Sequence, residues 1–248
     1  LRRELKKIEK QRVLQASSRE KNNTPLVSIV GYTNAGKSTL LKSLTSSDAY
    51  VADELFATVD SLQRELPIKN IQEPLILSDT VGFIQNLPTT LIESFKSTLL
   101  VATSADLLIH VVDAATAIPQ MHIGTVKSIL EQINVSANEI MVFNKIDRLD
   151  RASLNDLTER YPQALFISSL KNTGIEELLE RISSEIYGEI KQGSFLVEPK
   201  DLEKVNRFGE ILEVINSSNL LLLEISMRSK LIRKLIDLKI MKESENAE

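Results

Sequence analysis

Gly31-Tyr32-Thr33-Asn34-Ala35-Gly36-Lys37-Ser38 stands between a short apolar run at residues 25–30 and a stretch whose leucines have helical spacing. The octapeptide fits the pattern G-x-x-x-x-G-K-[ST], and a strand before it with a helix after it is the context that gives this pattern meaning. Its two glycines permit backbone conformations that let several N–H groups converge on phosphate oxygens, beside the positive end of the helix dipole. A chance match has odds of roughly one in a hundred for a chain of this length. The octapeptide therefore predicts a loop that binds the phosphates of a nucleotide.

A second motif predicts where a metal ion would be held. We expect Lys37 to reach the β- and γ-phosphates and the hydroxyl of Ser38 to bind Mg²⁺. A further apolar run ends in Asp79-Thr80-Val81-Gly82, so Asp79 follows a strand on the edge where the glycine loop lies and can hold Mg²⁺ through water. Gly82 lets its backbone N–H approach the γ-phosphate. The D-x-x-G motif is weak on its own, because it occurs often by accident.

A third motif bears on the choice of base. An apolar run ends in Asn144-Lys145-Ile146-Asp147, and in known GTPases an N-K-x-D turn holds guanine. The Asp147 carboxylate can accept from both N1–H and the 2-amino group of guanine, whereas adenine would leave this acceptor unpaired, at a cost of at least ~1–3 kcal/mol. We expect Asn144 to tie the turn to the glycine loop and the stem of Lys145 to cover the base. A solvated turn is the alternative, and the order of the three motifs disfavours it.

The other motifs narrow the resemblance to one family. The segment Ser168-Ser169-Leu170 resembles the small-residue loop that closes over guanine in GTPases, with serine at 169 where alanine is usual. Over most of its length the chain resembles the HflX family of translation-factor-related GTPases. One departure is local, since Ser61-Leu62 stand where the family usually has Pro-Thr. Besides the octapeptide, the stretches that carry the resemblance are Tyr50–Asp53, Leu55–Asp60, Asp79–Ile84, Leu87–Pro88, Phe95–Leu99 and Asp106–Ala114.

The resemblance implies a set of site residues. Thr58 would be the switch residue whose hydroxyl joins the Mg²⁺ shell when GTP is bound, beside Ser38 and Asp79. Catalytic roles would fall to Lys37, Thr58 and Gly82. The residues expected to bind GTP or GDP with its Mg²⁺ are Gly31, Thr33, Asn34, Ala35, Gly36, Lys37, Ser38, Thr39, Phe56, Asp79, Gly82, Asn144, Lys145, Asp147, Ser168, Ser169 and Leu170.

Two residues bear on how GTP would be hydrolysed. Phe83 stands where Ras-type GTPases carry a glutamine that orients the attacking water, and its ring can neither donate nor accept that hydrogen bond. We therefore expect slow hydrolysis by the isolated protein and acceleration by a partner surface. For Asn34 two interpretations stay open. Its side-chain oxygen helps hold a K⁺ ion against the phosphates, as in several GTPases that lack the glutamine, or it only braces the loop.

Alternating strands and helices predict an α/β fold. A P-loop GTPase domain at residues 23–190 would contain a mostly parallel six-stranded sheet, and a hairpin at residues 67–74 would add one antiparallel edge. The strands are predicted near residues 26–31, 62–68, 74–79, 106–112, 139–144 and 164–168.

The sequence near the two ends of the chain predicts smaller structural units. Residues 1–22 favour an N-terminal helix, either packed on the body or left from a helical arm, and the resemblance favours the arm as a linker. Residues 191–240 predict a small α+β C-terminal domain. Its strands are expected at residues 194–197, 211–215 and 220–226, with one helix at residues 200–208 and another that ends at about Leu238. Residues 241–248 predict a tail. Because the chain begins with Leu1 rather than methionine, we expect a fragment.

Composition narrows the remaining possibilities. The chain has no cysteine, which excludes disulfides, thiolate metal sites and cysteine nucleophiles. Its apolar runs are far shorter than a membrane span and no secretory signal is visible, so we expect the cytoplasm. We expect His110 in a packed core and His122 on a helix surface, and neither supports a catalytic role.

Charge leaves two hypotheses about partners. A net charge of −4 argues against wholesale coating by nucleic acid, yet positive charge is concentrated near both ends, at Arg2, Arg3, Lys6, Lys7, Lys10, Arg12 and residues 228–242. A ribosomal RNA footprint and ordinary solvated helix faces both explain this. The resemblance implies binding to the large ribosomal subunit, through its RNA and proteins, and the rescue or splitting of stalled ribosomes. Rival hypotheses are a ribosome-assembly or tRNA-modification GTPase, and a nucleotide-gated binding module with negligible hydrolysis. We expect a monomer.

Overall fold

The apolar run before the glycine loop forms a central strand of a six-stranded sheet. The computed structural model describes residues 24–45, 63–79, 101–217 and 219–244. Along the sheet the strand order is β2-β3-β1-β4-β5-β6. The strands are β1 (Leu26–Gly31), β2 (Gln63–Ile68), β3 (Ile71–Asp79), β4 (Leu107–Asp113), β5 (Asn138–Asn144) and β6 (Leu165–Phe166).

Parallel pairing brings the functional ends of the strands together. Strand β1 pairs in parallel with β3 and β4, β4 with β5, and β5 with β6. All of β1 and nearly all of β4 is buried, so both faces of the sheet are covered at its centre. Because parallel strands end at the same edge, this edge carries Gly31, Asp79, Asp113 and Asn144.

Strand β2 forms the predicted antiparallel edge. It lies beside β3, and the two-residue turn Lys69-Asn70 joins the two strands. A connection this short permits only antiparallel neighbours. Asn70 has a φ of +60°, a left-handed conformation that asparagine tolerates. Strand β3 begins at Ile71, earlier than the predicted residue 74, because the turn is tighter than the sequence indicates.

Helices between the strands supply the outer layers. They are α1 (Lys37–Thr45), α2 (Pro119–Gln132), α3 (Arg151–Arg160) and α4 (Ile175–Tyr187). Helix α2 packs Val126 and Leu130 in one buried cluster with Val30 and Leu108 of the sheet. Burying an aliphatic side chain of this size contributes about 1.5–3 kcal/mol, so α2 is firmly attached to the sheet.

The chain divides into two compact units. The first comprises Leu1–Leu66 with Pro74–Leu179, and the second comprises Pro67–Glu73 with Glu180–Glu248. The second unit contains an antiparallel sheet in the order β10-β7-β9-β8. Its elements are β7 (Ile190–Val197), α5 (Leu202–Asn206), β8 (Gly209–Ser217), β9 (Leu220–Arg228), α6 (Ser229–Asp237) and β10 (Met241–Glu243).

A small core of its own supports the second unit. Leu223, Ile225 and Met227 alternate along β9 and are buried. Helix α6 contributes the buried Leu231 and Leu235. The alternation of period two in β9 and the helical spacing in α6 are the patterns expected of a sheet covered by a helix.

Three further sequence predictions differ from the structure. The first unit ends at Leu179, within α4, whereas the sequence places the domain boundary at residue 190. The helix predicted at residues 200–208 is a 3₁₀ turn, Pro199–Asp201, followed by the short α5. In the predicted tail, Met241–Glu243 pair with β7, since Met241 brings a buried apolar side chain to the core. Residues 1–22 and 245–248 lie outside the described residues.

Candidate functional site

The glycine loop follows β1 and leads directly into α1. A Cβ atom on Gly31 would collide with the carbonyl oxygen of Val111 in the neighbouring strand. Gly36 has a φ of +93°, and a Cβ atom there would collide with the side-chain amide of Asn144. Both glycines are therefore required by close packing as well as by backbone conformation. Asn34, between them, is exposed and has a φ of +59°.

Lys37 begins α1 with its ammonium group inside the loop. The side chain is only 7% exposed, and Nζ donates to the carbonyl oxygen of Tyr32 at 3.1 Å. Burial lowers the pKa of Lys37 to about 8, while the charge of Asp79 opposes this shift and that of Lys145 adds to it. The loop thus holds a cation poorly compensated by protein groups, which is the electrostatic condition that phosphate oxygens would relieve.

Ser38 and Asp79 meet where the sequence predicts a magnesium site. The Ser38 hydroxyl donates to Oδ2 of Asp79 at 2.9 Å, and Asp79 is fully buried at the end of β3. Among the described residues, no group of three or more His, Cys, Asp or Glu side chains could hold a metal. A hydroxyl and one carboxylate suit Mg²⁺, which prefers oxygen ligands and takes the rest from phosphates and water.

Asn144 joins three segments of the site, as the sequence predicts for its contact with the glycine loop. Its Nδ2 donates to the carbonyl oxygen of Ala35 at 3.0 Å. Its Oδ1 accepts from both the backbone N–H and the hydroxyl of Ser169, each at 3.0 Å. The side chain is almost completely buried, so all three bonds are shielded from water. Asn144 therefore fixes the glycine loop and the 168–170 loop relative to each other.

Lys145 binds the carbonyl group of the preceding residue in the glycine loop, Asn34. Its backbone is left-handed, with a φ of +67°. Its Nζ lies 2.5 Å from the carbonyl oxygen of Asn34 and 2.8 Å from Oδ2 of Asp113. Together with Asn144, it binds the carbonyl groups of two consecutive residues of the loop, Asn34 and Ala35. That the Lys145 stem covers the base stays a prediction.

Asp147 lies exposed in the 3₁₀ turn Ile146–Arg148, beside the loop that is expected to close over the base. The Ser168 hydroxyl donates to Oδ1 of Asp147 at 2.5 Å. Ser168 and Thr173 exchange backbone hydrogen bonds that shape this loop. Leu170 is 70% exposed at its tip. The carboxylate and the apolar side chain thus stand on the same short loop pair, next to the glycine loop.

One family model and many curated relatives match this chain. Residues 26–145 match the family described as 50S ribosome-binding GTPase. The chain is 42% identical over 212 residues to GTPase HflX of Caldanaerobacter subterraneus subsp. tengcongensis, covering 85% of the chain and 48% of that protein. It is 39% identical over 212 residues to GTPase HflX of Escherichia coli strain K12, covering 84% and 49%. The chain belongs to the HflX family. It spans about half the length of these curated relatives.

A solved structure supports the fold of this HflX chain. It is a GTP-binding protein from the archaeon Sulfolobus solfataricus in complex with GDP, at 31% identity and a TM-score of 0.50. The match covers 71% of the HflX chain and 57% of the archaeal one. The P-loop GTPase fold predicted from the sequence is confirmed. Within the described ranges, no helix of the HflX chain is long and apolar enough to cross a membrane.

Of the remaining residues predicted for the site, the structure describes some and not others. Thr33 lies in the glycine loop and Thr39 in α1, both half-buried. The switch residues and the aromatic residues beside them lie outside the described residues, namely Phe56, Thr58, Gly82 and Phe83. Their roles stay predictions.

The sequence did not predict the contacts that two residues, Asp113 and His122, make near the glycine loop. Asp113 ends β4, where it accepts from the backbone N–H of Ala115 at 2.9 Å and pairs with Lys145. His122, expected on a helix surface, is instead half-buried, and its ring stacks on Tyr32 with centroids 3.9 Å apart. Asp113 could have been suspected from its place at a strand end, whereas nothing in the sequence signals the ring stack. His110 is buried in β4 as predicted, with Nδ1 3.1 Å from Glu139.

Proposed function

We propose that this chain binds GTP and GDP and hydrolyses GTP to GDP and phosphate. The Asn144 side chain carries the proposal, because it joins the glycine loop at Ala35 to the loop that contains Ser169. The loop that would bind the phosphates and the loop that would close over the base are thereby held together. The names of the HflX relatives support the same activity.

Each motif would act on a different part of the nucleotide. Asp147 would accept from the guanine edge, and Ser168 would continue to orient its carboxylate. Lys37, whose ammonium group donates one of its three N–H bonds to Tyr32, would bind the β- and γ-phosphates with the others. Ser38 and Asp79 would hold Mg²⁺, which neutralises charge that develops on the phosphate oxygens.

We propose that hydrolysis is slow in the isolated protein and is accelerated by a partner. Phe83 stands in the sequence where a water-orienting glutamine would act, and its side chain cannot fill that role. Thr58 and Gly82 would complete the catalytic set around the γ-phosphate. Multiple-turnover phosphate release with and without ribosomes tests this, and equal rates would contradict it.

A K⁺ ion at Asn34 is a further part of the proposal. Lys145 binds the backbone carbonyl of Asn34, while the Asn34 residue itself is exposed. A monovalent cation there would add positive charge between the β- and γ-phosphates. Hydrolysis measured in KCl and in NaCl decides between an ion ligand and a loop brace, since equal rates remove the ion from the mechanism.

The proposed partner is the large ribosomal subunit. The matched family is described as ribosome-binding at the 50S subunit, and the family resemblance extends this to the rescue or splitting of stalled ribosomes in the cytoplasm, by a monomer. Cosedimentation with 50S subunits in the presence of GDP or of a non-hydrolysable GTP analogue tests the partner. Binding that depends on the GTP analogue supports the switch, and no binding under either condition contradicts it.

One alternative function is favoured by a specific residue, Phe83. Phe83 is also compatible with a nucleotide-gated binding module whose hydrolysis is negligible. In that case ribosomes would bind in the GTP-analogue state without stimulating phosphate release. A ribosome-assembly or tRNA-modification GTPase would instead require intermediates or tRNA for stimulation, which the same assay can include.

A further inference from the structure

We propose that His122 is a positioning residue of the nucleotide site, which holds the first half of the glycine loop by stacking its ring on Tyr32. Tyr32 directly follows Gly31 in the octapeptide, whereas His122 lies in the first turns of α2. The inference rests on the proposed nucleotide binding and names a residue that acts on it without touching the ligand.

The contact between the two rings is an almost parallel stack. Their centroids are 3.9 Å apart and their planes differ by 8°. Both residues are half-buried. Burial lowers the pKa of His122, while the charge of Asp113 opposes that shift, so the imidazole is neutral at physiological pH. A neutral imidazole can stack on a phenol ring without the desolvation cost of a buried charge.

Helix α2 gives this stack a rigid base. The residue after His122, Ile123, is buried in one cluster with Phe143 of β5. Val126, one turn further on, is buried with Val30 and Leu108 in another. Because two hydrophobic clusters fix the helix on both sides of one turn, the ring of His122 has little freedom to follow a moving loop. The stack therefore ties Tyr32 to the core.

The position of Tyr32 controls groups that would meet the phosphates. Its carbonyl oxygen accepts from Nζ of Lys37 at 3.1 Å and from the backbone N–H of Ala35 at 3.3 Å. Lys145 and Asn144 already hold the carbonyl groups of the following residues, Asn34 and Ala35. The stack adds the anchor at the start of the loop. A loop that is ordered before binding loses less conformational entropy when the nucleotide arrives.

The test compares GDP affinities by isothermal titration calorimetry in the presence of Mg²⁺. His122→Ala removes the stacking surface, and His122→Phe keeps an aromatic ring in its place. Gln120→Ala, exposed on the same helix, is the matched control. We expect His122→Ala to weaken GDP binding about two- to tenfold, the range of one aromatic pair, while His122→Phe and the control stay within about twofold. Wild-type affinity for His122→Ala, or equal weakening in His122→Phe, would overturn the inference.

A double-mutant cycle covers the possibility that one variant folds poorly. Tyr32→Leu removes the same stack from the loop side, so Tyr32→Leu and the double variant with His122→Ala should have the same GDP affinity. Additive losses would overturn the inference. If the wild-type protein bound no GDP, the proposed function itself would be overturned. If the wild-type protein and the variants bound GDP equally well, only the role of His122 would be overturned.

Discussion

Lys145 and Asp113 form an ion pair of 2.8 Å next to the Asn34 carbonyl group of the glycine loop. The Lys145 side chain is 14% exposed and that of Asp113 is 20% exposed, so water screens the pair little. Lys145 also donates to the carbonyl oxygen of Asn34, and Asp113 accepts from the N–H of Ala115. The pair thus connects the turn at residues 144–147, the glycine loop and the end of β4.

Asp113→Asn should loosen this connection while keeping the shape of the side chain. Losing a charge-assisted bond to a mostly buried ammonium group should lower the free energy of unfolding by about 1–2 kcal/mol. GDP release should become faster, because Lys145 holds the Asn34 carbonyl less firmly. Denaturant unfolding and stopped-flow release of a fluorescent GDP analogue measure the two effects.

The control for this variant is Asp156→Asn. Asp156 pairs with Arg160 on α3, where the side chains are 59% and 54% exposed. An exposed pair of this kind contributes no more than about 0.5 kcal/mol. Equal losses of stability in the two variants would show that burial of the Asp113 pair has no special effect.

Asp147→Asn should change the preferred base from guanine to xanthine. The carboxylate would accept from the N1–H and the 2-amino group of guanine, whereas xanthine has an oxygen acceptor in place of that amino group. An asparagine amide can donate to this oxygen. We expect GTP affinity to fall by at least about tenfold and XTP affinity to rise above it in competition titrations. Unchanged preference for GTP would mean that another residue reads the base.

The buried ammonium of Lys37 predicts proton uptake when a nucleotide binds at alkaline pH. Its pKa is about 8 in the folded protein, against an ordinary value of 10.5, so at pH 9 the group is mostly neutral. Phosphate oxygens favour the charged form and would raise the pKa, so binding should take up a proton. Calorimetry of GDP binding at pH 9 in two buffers with different ionisation enthalpies measures the uptake. The arginine of the Lys37→Arg variant stays charged at pH 9, so any GDP binding by this variant should occur without proton uptake.

The lowered pKa of Lys37 also determines whether its contribution to the free energy of unfolding rises or falls with pH. Between about pH 8 and 10.5 the unfolded chain keeps the proton that folded Lys37 has lost. The unfolded state therefore binds more protons, and the contribution of Lys37 to the free energy of unfolding rises with pH across this window. Nucleotide-free protein should show this rise relative to Lys37→Met in denaturant titrations at pH 8 and pH 10. A difference that falls with pH would contradict the burial of the ammonium.

Tyr187→Phe should leave the protein as stable as before or make it more stable. The hydroxyl of Tyr187 is buried and has no hydrogen-bond partner among the described residues. Burial, with the charge of Glu73, raises the pKa of this phenol to about 12. Removing an unpaired buried hydroxyl should raise the free energy of unfolding by up to about 1 kcal/mol. A loss of more than that amount would indicate a partner for the hydroxyl.

The sequence predicts the centre of the six-stranded sheet well, because β1, β3, β4 and β5 contain apolar runs and end at motif residues. Asn144 could be assigned its contact with the glycine loop for the same reason. His122 could not be assigned, since a ring stack between a loop and a helix distant in sequence follows no periodic pattern. Strand β10 was missed because only Met241 of its three residues is buried. The division inside α4 was missed because a continuous helix has no change of composition at that point.

We expect the Asp147 carboxylate to read guanine while the loop from Gly31 to Ser38 binds the phosphates of the same nucleotide. Titration of the purified protein with GTP, GDP and ATP in the presence of Mg²⁺ tests it most directly. We predict that GTP and GDP bind and that ATP binds at least about 100-fold more weakly, because adenine leaves the carboxylate unpaired. Equal affinity for ATP and GTP, or binding of neither, would contradict the claim.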